Sequence, residues 1–400
     1  MAQESCADLI AAEDVLLFVN AAVTATGQRE FRSAAGEQRL SLAFLHAYVR
    51  VNYRRVYAAV LALDINDHNA ALVIRHLLAS AGEADAEEKR AEGRLIAARL
   101  AVMAPQRVYR LLRALRAAKV NNRRTRAIFR DWLAARPDPA FDAVKYRGGL
   151  KSATRHAHLP PVEAELGDFL FRPGRRARYA HPLLDAHRRA HYEQAAVFEL
   201  PFTVAEGFAA RHGIPRAVFL ERIAPRTTRL ERLRTQSRAG AVPADLATMP
   251  LTRLALYVLS LGLDERARRR GELTGALRAA ALRAAGPHAG TWGRISAVLD
   301  DSYSSSGSGQ KRRRPLAVAL ACHFVLPERR TRVVHLNPVY DADGFDVRRL
   351  APSVPTAGIR DAEDLPALVE IAQFAEGRTG LAELYSYLDR RTADFTGSSR

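Results

Sequence analysis

Asp300, Ser302 and Ser304 are spaced two apart in Asp300-Asp301-Ser302-Tyr303-Ser304, directly after the apolar run Ile295-Ser296-Ala297-Val298-Leu299. A D-x-S-x-S loop leaving a buried strand gathers one carboxylate and two hydroxyls at the carboxyl end of a sheet, where ligands bind in open α/β folds. Thr379, in the loop Gly377-Arg378-Thr379-Gly380, can add a third hydroxyl. Hard oxygen donors without thiol or imidazole suit Mg²⁺ or another divalent cation such as Mn²⁺, with water or a partner's carboxylate completing the octahedron. The competing reading is a serine-rich loop in which Asp300 caps the following helix.

The second chemistry is basic. The chain carries 61 Lys and Arg against 43 Asp and Glu, a net charge of +18. Residues 294–400 hold 15 basic and 14 acidic groups, so residues 1–293 carry +17 of that excess. A genome-wide preference for arginine would mark both parts alike, so the split points to a basic module followed by an electroneutral one. Arginines cluster at Arg123/Arg124/Arg126, Arg175/Arg176/Arg178, Arg188/Arg189 and Arg268/Arg269/Arg270. Each cluster alone reads as a solvated helix end. Together they predict a phosphate-binding surface, since the guanidinium fork donates two parallel hydrogen bonds to phosphate. Tyr109, Tyr146 and Tyr179 each adjoin an arginine, and aromatics among arginines can stack unpaired bases.

Motifs for covalent or hydrolytic chemistry are missing. Gly307-Ser308-Gly309-Gln310-Lys311 lacks the Gly-Lys-Ser/Thr ending of a P-loop. His156 and His158 have no cysteine or carboxylate cluster beside them, and His181, His187 and His191 lack a zincin glutamate. There is no nucleophile elbow and no dinucleotide fingerprint. The chain is therefore expected not to be an enzyme.

The elements that must position these groups differ along the chain. Residues 1–293 read as successive helices. Val108, Leu111, Leu112 and Leu115 share one face of a helix entered at Pro105, while Arg107, Arg110, Arg113, Arg116 and Lys119 step by three along its exposed side. Apolar spacing predicts one helix over Leu40 to Leu63 and another around Ala127, Ile128, Trp132 and Leu133. Further helices are expected at 182–197, 203–212, 214–223, 226–238, 249–262 and 265–284, with a Thr203/Glu206 capping box and a stop at Gly213. Short helices with polar turns suggest an irregular HEAT-like array. After Ala285-Gly286-Pro287 the pattern changes. Strands are expected at Ile295–Leu299, Arg332–Leu336 and 344–350, and helices at Pro315–Leu326, Asp364–Gly377 and Leu381–Arg391, which implies a doubly wound, mostly parallel sheet. The fold expected is mainly α over 1–293, followed by an α/β domain over 294–400.

Two segments resemble known families. Ile295 to Ser304, with the Gly377–Gly380 loop, resembles the metal-ion-dependent adhesion site of von Willebrand factor A (vWA) domains. Arg124-x-Arg126-Ala127-Ile128-Phe129-x-x-Trp132, Lys145-Tyr146-Arg147-x-x-Leu150-Lys151 and Arg155-x-x-His158 resemble the TROVE domain of Ro ribonucleoproteins and their bacterial relatives. The resemblance implies a ring of helical repeats closed by the A domain, binding small structured (Y-like) RNA outside and single-stranded RNA ends through its hole, without catalysis. It implies RNA contacts at Arg124, Arg126, Lys145, Tyr146, Arg147, Lys151, Arg155 and His158, and metal ligands at Asp300, Ser302, Ser304 and Thr379. Tyr303 stands where the motif usually has a small residue.

Residues 294–400 supply the first three strands of such a domain and the helix after Thr379, so the vWA-like domain is expected to be incomplete, from a truncated or split reading frame. A metal-dependent protein-interaction adaptor without an RNA role is the competing function. Two cysteines, Cys6 and Cys322, make neither a disulfide framework nor a zinc site. Acidic residues near the start in place of a basic leader, and no long apolar run, lead to the expectation of a cytoplasmic protein without a membrane partner.

Overall fold

The computed structural model describes residues 15–23 (except 17 and 20), 34–158 (except 64 and 157), 164–228, 231, 246–288, 295–300, 314–325, 331–336, 362–369 (except 368) and 381–397. These residues are mainly helical. In chain order the helices are α1 (Ala34–Asn52), α2 (Arg54–Ala59), α3 (Asp67–Ala79), α4 (Ala86–Val102), α5 (Pro105–Ala117) and α6 (Arg123–Ala134). Then come α7 (Pro139–Lys145), α8 (Arg147–His156), α9 (Ala164–Phe171), α10 (Pro182–Arg189), α11 (Phe202–Arg211) and α12 (Arg216–Ile223). The later helices are α13 (Leu251–Ser260), α14 (Leu263–Arg268), α15 (Arg270–Ala285), α16 (Arg314–Val325) and α17 (Leu381–Gly397). Two strands, β1 (Ile295–Asp300) and β2 (Thr331–Leu336), flank α16.

The chain divides into two compact units. One spans residues 1–56, 63–66 and 245–388, and the other 57–62, 67–244 and 389–400. In the first, α13, α15 and α16 pack on one another. β1 and β2 pair in parallel, with Ile295 opposite Thr331 and Asp300 opposite Leu336. Thr252 on α13 anchors the segment at 362–364: its hydroxyl donates to Glu363 (2.9 Å) and accepts from the Ala362 N–H (2.8 Å). Cys322 on α16 is buried, and burial pushes its thiol up to about 12, so it stays protonated. The expected domain boundary at 293/294 lies outside the described residues, within the span of this unit. The expected third strand at 344–350 also lies outside them, as does most of the helix expected over 364–377.

In the second unit α5 packs on α3 and α8, and α7 packs on α8, α9 and α10. The apolar face read from α5 is buried throughout: Val108, Leu111, Leu112 and Leu115 are at most 3% exposed. Burying each such side chain stabilises the fold by roughly 2 kcal/mol. Where α5 crosses α8 the contact is closer than side chains normally allow. A Cβ on Gly149 would lie 2.8 Å from Tyr109 Cβ and Cγ, so only glycine lets the α8 backbone come this close to the Tyr109 side chain.

Several local expectations are corrected. Leu40 to Leu63 is not one helix: α1 ends at Asn52, whose amide donates back to the Tyr48 carbonyl (2.8 Å), a bond that competes with the next turn. The helix expected over 182–197 ends at Arg189 and resumes as a 3₁₀ turn at Ala195–Glu199. The Thr203/Glu206 capping box does not form. Pro201 is the N-cap of α11, and the Glu206 carboxylate accepts instead from Arg216 (2.6 Å). The stretch 265–284 breaks into α14 and α15 at Arg269. The last helix runs on to Gly397. Gly213 does stop α11, at φ +64°. Most of 226–238 lies outside the described residues.

Candidate nucleic-acid interface

The basic ridge begins with the geometry of α5. Pro105 opens the helix, where a missing N–H is harmless. The helix closes with a Schellman motif: the Lys119 N–H donates to the Arg116 carbonyl (3.0 Å) and the Val120 N–H to the Leu115 carbonyl (2.9 Å). Lys119 takes the left-handed position at φ 57°, which usually falls to glycine. Burial of the apolar face forces the opposite face outward, so Arg110, Arg113, Arg116 and Lys119 are exposed and Arg107 is half-exposed. Arg107 to Arg116 covers about 14 Å of helix axis. Among the described residues none of these five cations has a carboxylate partner.

The ridge continues onto α8. Arg116 donates to the Ser152 hydroxyl (3.5 Å), next to Lys151. Arg147, Lys151 and Arg155 recur every four residues and share one face of α8. Each lies over a ring of α9: the Arg147 guanidinium is 4.8 Å from the Phe169 centroid, while Lys151 and Arg155 are 5.7 and 5.3 Å from that of Phe171. Cation–π contact holds the long side chains without neutralising them. Arg147 also donates to the Phe169 carbonyl (2.8 Å).

Beneath this face a buried ionic network fixes the helices. Asp142 on α7 is fully buried and accepts from Arg136 twice (2.7 and 3.1 Å) and from the Tyr109 hydroxyl (2.9 Å). Arg136 also lies over the Trp132 ring, which meets Tyr109 edge-on. Burial first, and the Asp142 charge second, push the Tyr109 phenol well above its ordinary range. Tyr109 is thus a packed, proton-holding bridge.

The residues expected to contact RNA fall into two groups. Arg147, Lys151 and Arg155 come together on one face of α8, and His158 is exposed just beyond them, its N–H donating to the Arg155 carbonyl (3.3 Å). Arg126 is half-buried and makes no side-chain hydrogen bond or ion pair among the described residues. Arg124 is committed to structure: it donates to the buried Glu92 carboxylate (2.9 Å) and the Lys89 carbonyl (2.9 Å), tying α6 to α4. Lys145 sits over the Phe141 and Tyr146 rings and lines a separate 620 Å³ cavity that also holds Asp138, Glu199 and Glu231. Tyr146 is half-buried, its hydroxyl donating to Gln106 (3.3 Å). The stacking role expected of Tyr109 and Tyr179 is corrected, since both are buried. The ring platforms are Phe169 and Phe171. They stand some twenty residues from the cations they support, so a search for aromatics beside arginines passes over them.

The other arginine clusters are largely neutralised. Asp168 takes Arg175 (3.2 Å) and Arg176 (2.7 Å), and the hydrogen bond from Arg176 holds its carboxyl below the usual range. Asp185 takes Arg188 (3.0 Å) and Arg189 (3.1 Å), and Arg189 also reaches Glu193 and Glu199. Arg268 pairs with Glu265, and Arg269 with Glu272 and Glu265.

A second cavity, of 430 Å³, opens beside Arg147, Phe169 and His187. His187 and His191 pack edge-on to each other and to Phe208. Burial, reinforced by the Arg147 charge, lowers His187 to about 4, so its imidazole is neutral at ordinary pH. His181 has a structural role: its Nδ1 accepts from the Leu183 N–H at the start of α10.

Of the expected metal ligands, Asp300 is the last residue of β1, while Ser302, Ser304 and Thr379 lie outside the described residues. Among the described residues no three His, Cys, Asp or Glu cluster closely enough to hold a metal ion. No described helix is long and apolar enough to cross a membrane. Compared with known protein families, curated proteins and solved structures, the chain matches none.

Proposed function

We propose that this chain is an RNA-binding scaffold that holds phosphates along the α5 and α8 face and performs no chemistry on them. One observation carries the reading: Arg107, Arg110, Arg113, Arg116, Lys119, Lys151 and Arg155 crowd two packed helices with no carboxylate among them. Leaving so many like charges adjacent is unfavourable unless a polyanion completes the surface. The TROVE-like residues Arg147, Lys151, Arg155 and His158 lie on or beside this face, which supports a ribonucleoprotein role with small structured RNA and single-stranded RNA ends as ligands. Arg124, Arg126, Lys145 and Tyr146 then serve as supports and flanks.

The vWA-like part of the proposal rests on the strand–helix–strand order and on the donor set. Asp300 closes β1 at the carboxyl end of a parallel pair, and a carboxylate with three hydroxyls fits a hard divalent cation. Asp300, Ser302, Ser304 and Thr379 would hold Mg²⁺, whose open position would accept a partner's carboxylate.

The test is filter binding of the full-length protein to single-stranded and hairpin RNA across a salt series. Contact with about five phosphates predicts a slope of log K against log salt near −4. Binding that ignores salt would refute the RNA reading. Partner capture abolished by chelator, with no RNA retained, would favour the adaptor instead.

A further inference from the structure

The 430 Å³ cavity is of a size that holds a small organic ligand. No α5 residue lines it, and it shares only Arg147 with the α8 end of the basic face, so a ligand bound there can be told apart from RNA held along α5. Arg147, Arg176 and Arg188 line it, and no carboxylate does among the described residues. The acids stand behind the arginines. Asp168 accepts from the Arg176 Nε and Asp185 from the Arg188 Nε, which orients each guanidinium while leaving its two terminal nitrogens without a hydrogen bond among the described residues. Arg147 likewise commits one terminal nitrogen to the Phe169 carbonyl. Fixed guanidinium forks with open ends are what a phosphate group requires.

The remaining walls offer neutral donors, acceptors and an aromatic face. Neither His187 ring nitrogen has a hydrogen-bond partner among the described residues, nor does the hydroxyl of Tyr179, a residue only 4% exposed. Both residues line the cavity, so these donors and acceptors are open to a polar ligand there. Tyr192, which lines the cavity, is 80% exposed, and among the described residues only His191 is tilted against its ring. An exposed tyrosine beside a phosphate-binding recess is a platform for a planar base.

We infer that this cavity binds a nucleoside monophosphate, with the phosphate on Arg147, Arg176 and Arg188, the base against Tyr192, and polar edges met by His187 and Tyr179. The ligand could be a free nucleotide or the phosphorylated end of a strand, and the chemistry recognised is the same.

Calorimetric titration of the full-length protein with AMP and UMP, and with ribose 5-phosphate and adenosine as the two halves, tests this. The nucleotides are expected to bind more tightly than either half. Tyr192→Ala is expected to weaken AMP roughly tenfold or more, to the level of ribose 5-phosphate, with Tyr192→Phe unchanged. Arg176→Gln is expected to weaken AMP and ribose 5-phosphate alike while leaving adenosine binding unchanged, which controls for any loss of stability from its broken ion pair with Asp168. The triple variant Arg110→Gln/Arg113→Gln/Arg116→Gln is expected to leave AMP binding intact, which separates this site from the RNA face. A 5′-phosphorylated oligonucleotide that loses affinity on Tyr192→Ala identifies a strand end as the source, and an effect confined to AMP and UMP identifies free nucleotide. AMP binding no tighter than inorganic phosphate, or indifferent to Tyr192→Ala, would overturn the inference.

Discussion

Two arginine-rich regions of the same compact unit have opposite fates. On α5 and α8 the cations face outward over apolar or aromatic support, and no described carboxylate reaches them. Around α9 and α10, Asp168 and Asp185 each collect two or more arginines within 4 Å, and Arg189 alone touches three acids. The second arrangement is internally balanced and builds structure. The first leaves a positive field that only an external anion can balance. Counting arginines along the chain cannot separate these cases, because the difference lies in where the carboxylates fold to.

The largest effect is expected from removing the acid buried beneath the free-cation face. Asp142→Ala strands Arg136 and the Tyr109 hydroxyl in a buried site, and breaking a buried pair in this way costs about 3–5 kcal/mol. Urea unfolding should show that loss as a lower midpoint at unchanged slope. A midpoint within experimental error of wild type would mean that the network does not hold the helices together.

Next comes a charge exchange between the two regions. Arg110→Gln/Arg113→Gln/Arg116→Gln should cut RNA affinity by roughly tenfold to a hundredfold at moderate salt and flatten the salt slope by about two, with little change in melting temperature. The matched set Arg172→Gln/Arg175→Gln/Arg189→Gln, paired arginines outside the 430 Å³ cavity, should do the reverse, lowering stability while leaving the salt slope near its original value. Equal effects of both sets on RNA would erase the distinction.

Gly149→Ala attacks the support of the free-cation face. The added methyl meets Tyr109 Cβ and Cγ at 2.8 Å, on a side chain that Asp142 and Trp132 already hold. Overpacking of this sort costs about 1–3 kcal/mol. Tyr109→Gly, which removes both the Cβ and the Cγ that the methyl meets, should make the Gly149→Ala loss smaller in its background than in wild type, measured as a non-additive cycle.

How much of the molecule was legible in the sequence depends on the range of each interaction. The α5 period was readable because burial of Val108, Leu111, Leu112 and Leu115 dictates which residues face out. Arg188 and Arg189 lie three and four residues after Asp185, so their pairing was open to a helical reading. Arg124 with Glu92 spans 32 residues, and the rings under Lys151 and Arg155 come from another helix, so neither had a local signal. The same limit explains Tyr109. Its neighbour Arg110 suggested a stacking surface, but its own place in the i, i+3 pattern with Leu112 put it against α8, where Gly149 makes room. Asp300 shows the converse: an apolar strand ending in a carboxylate was readable from a handful of residues, whereas a ligand set that draws on Thr379 needs the fold to close the distance.

Lys119 gives the smallest expected effect and the finest test of the contrast. Its backbone occupies the left-handed region at the end of α5, a conformation that costs a non-glycine residue about 1–2 kcal/mol. Lys119→Gly should therefore raise stability by roughly 0.5–1 kcal/mol, seen as a higher urea midpoint. The same change removes one cation from the ridge and should lower the salt slope by a little under one. Lys119→Ala removes the charge but keeps the strain, so it should show the same loss of slope without the gain in stability. If both variants leave RNA binding untouched while only glycine stabilises, the positive field ends at Arg116 and the ridge is one cation shorter than its spacing suggests.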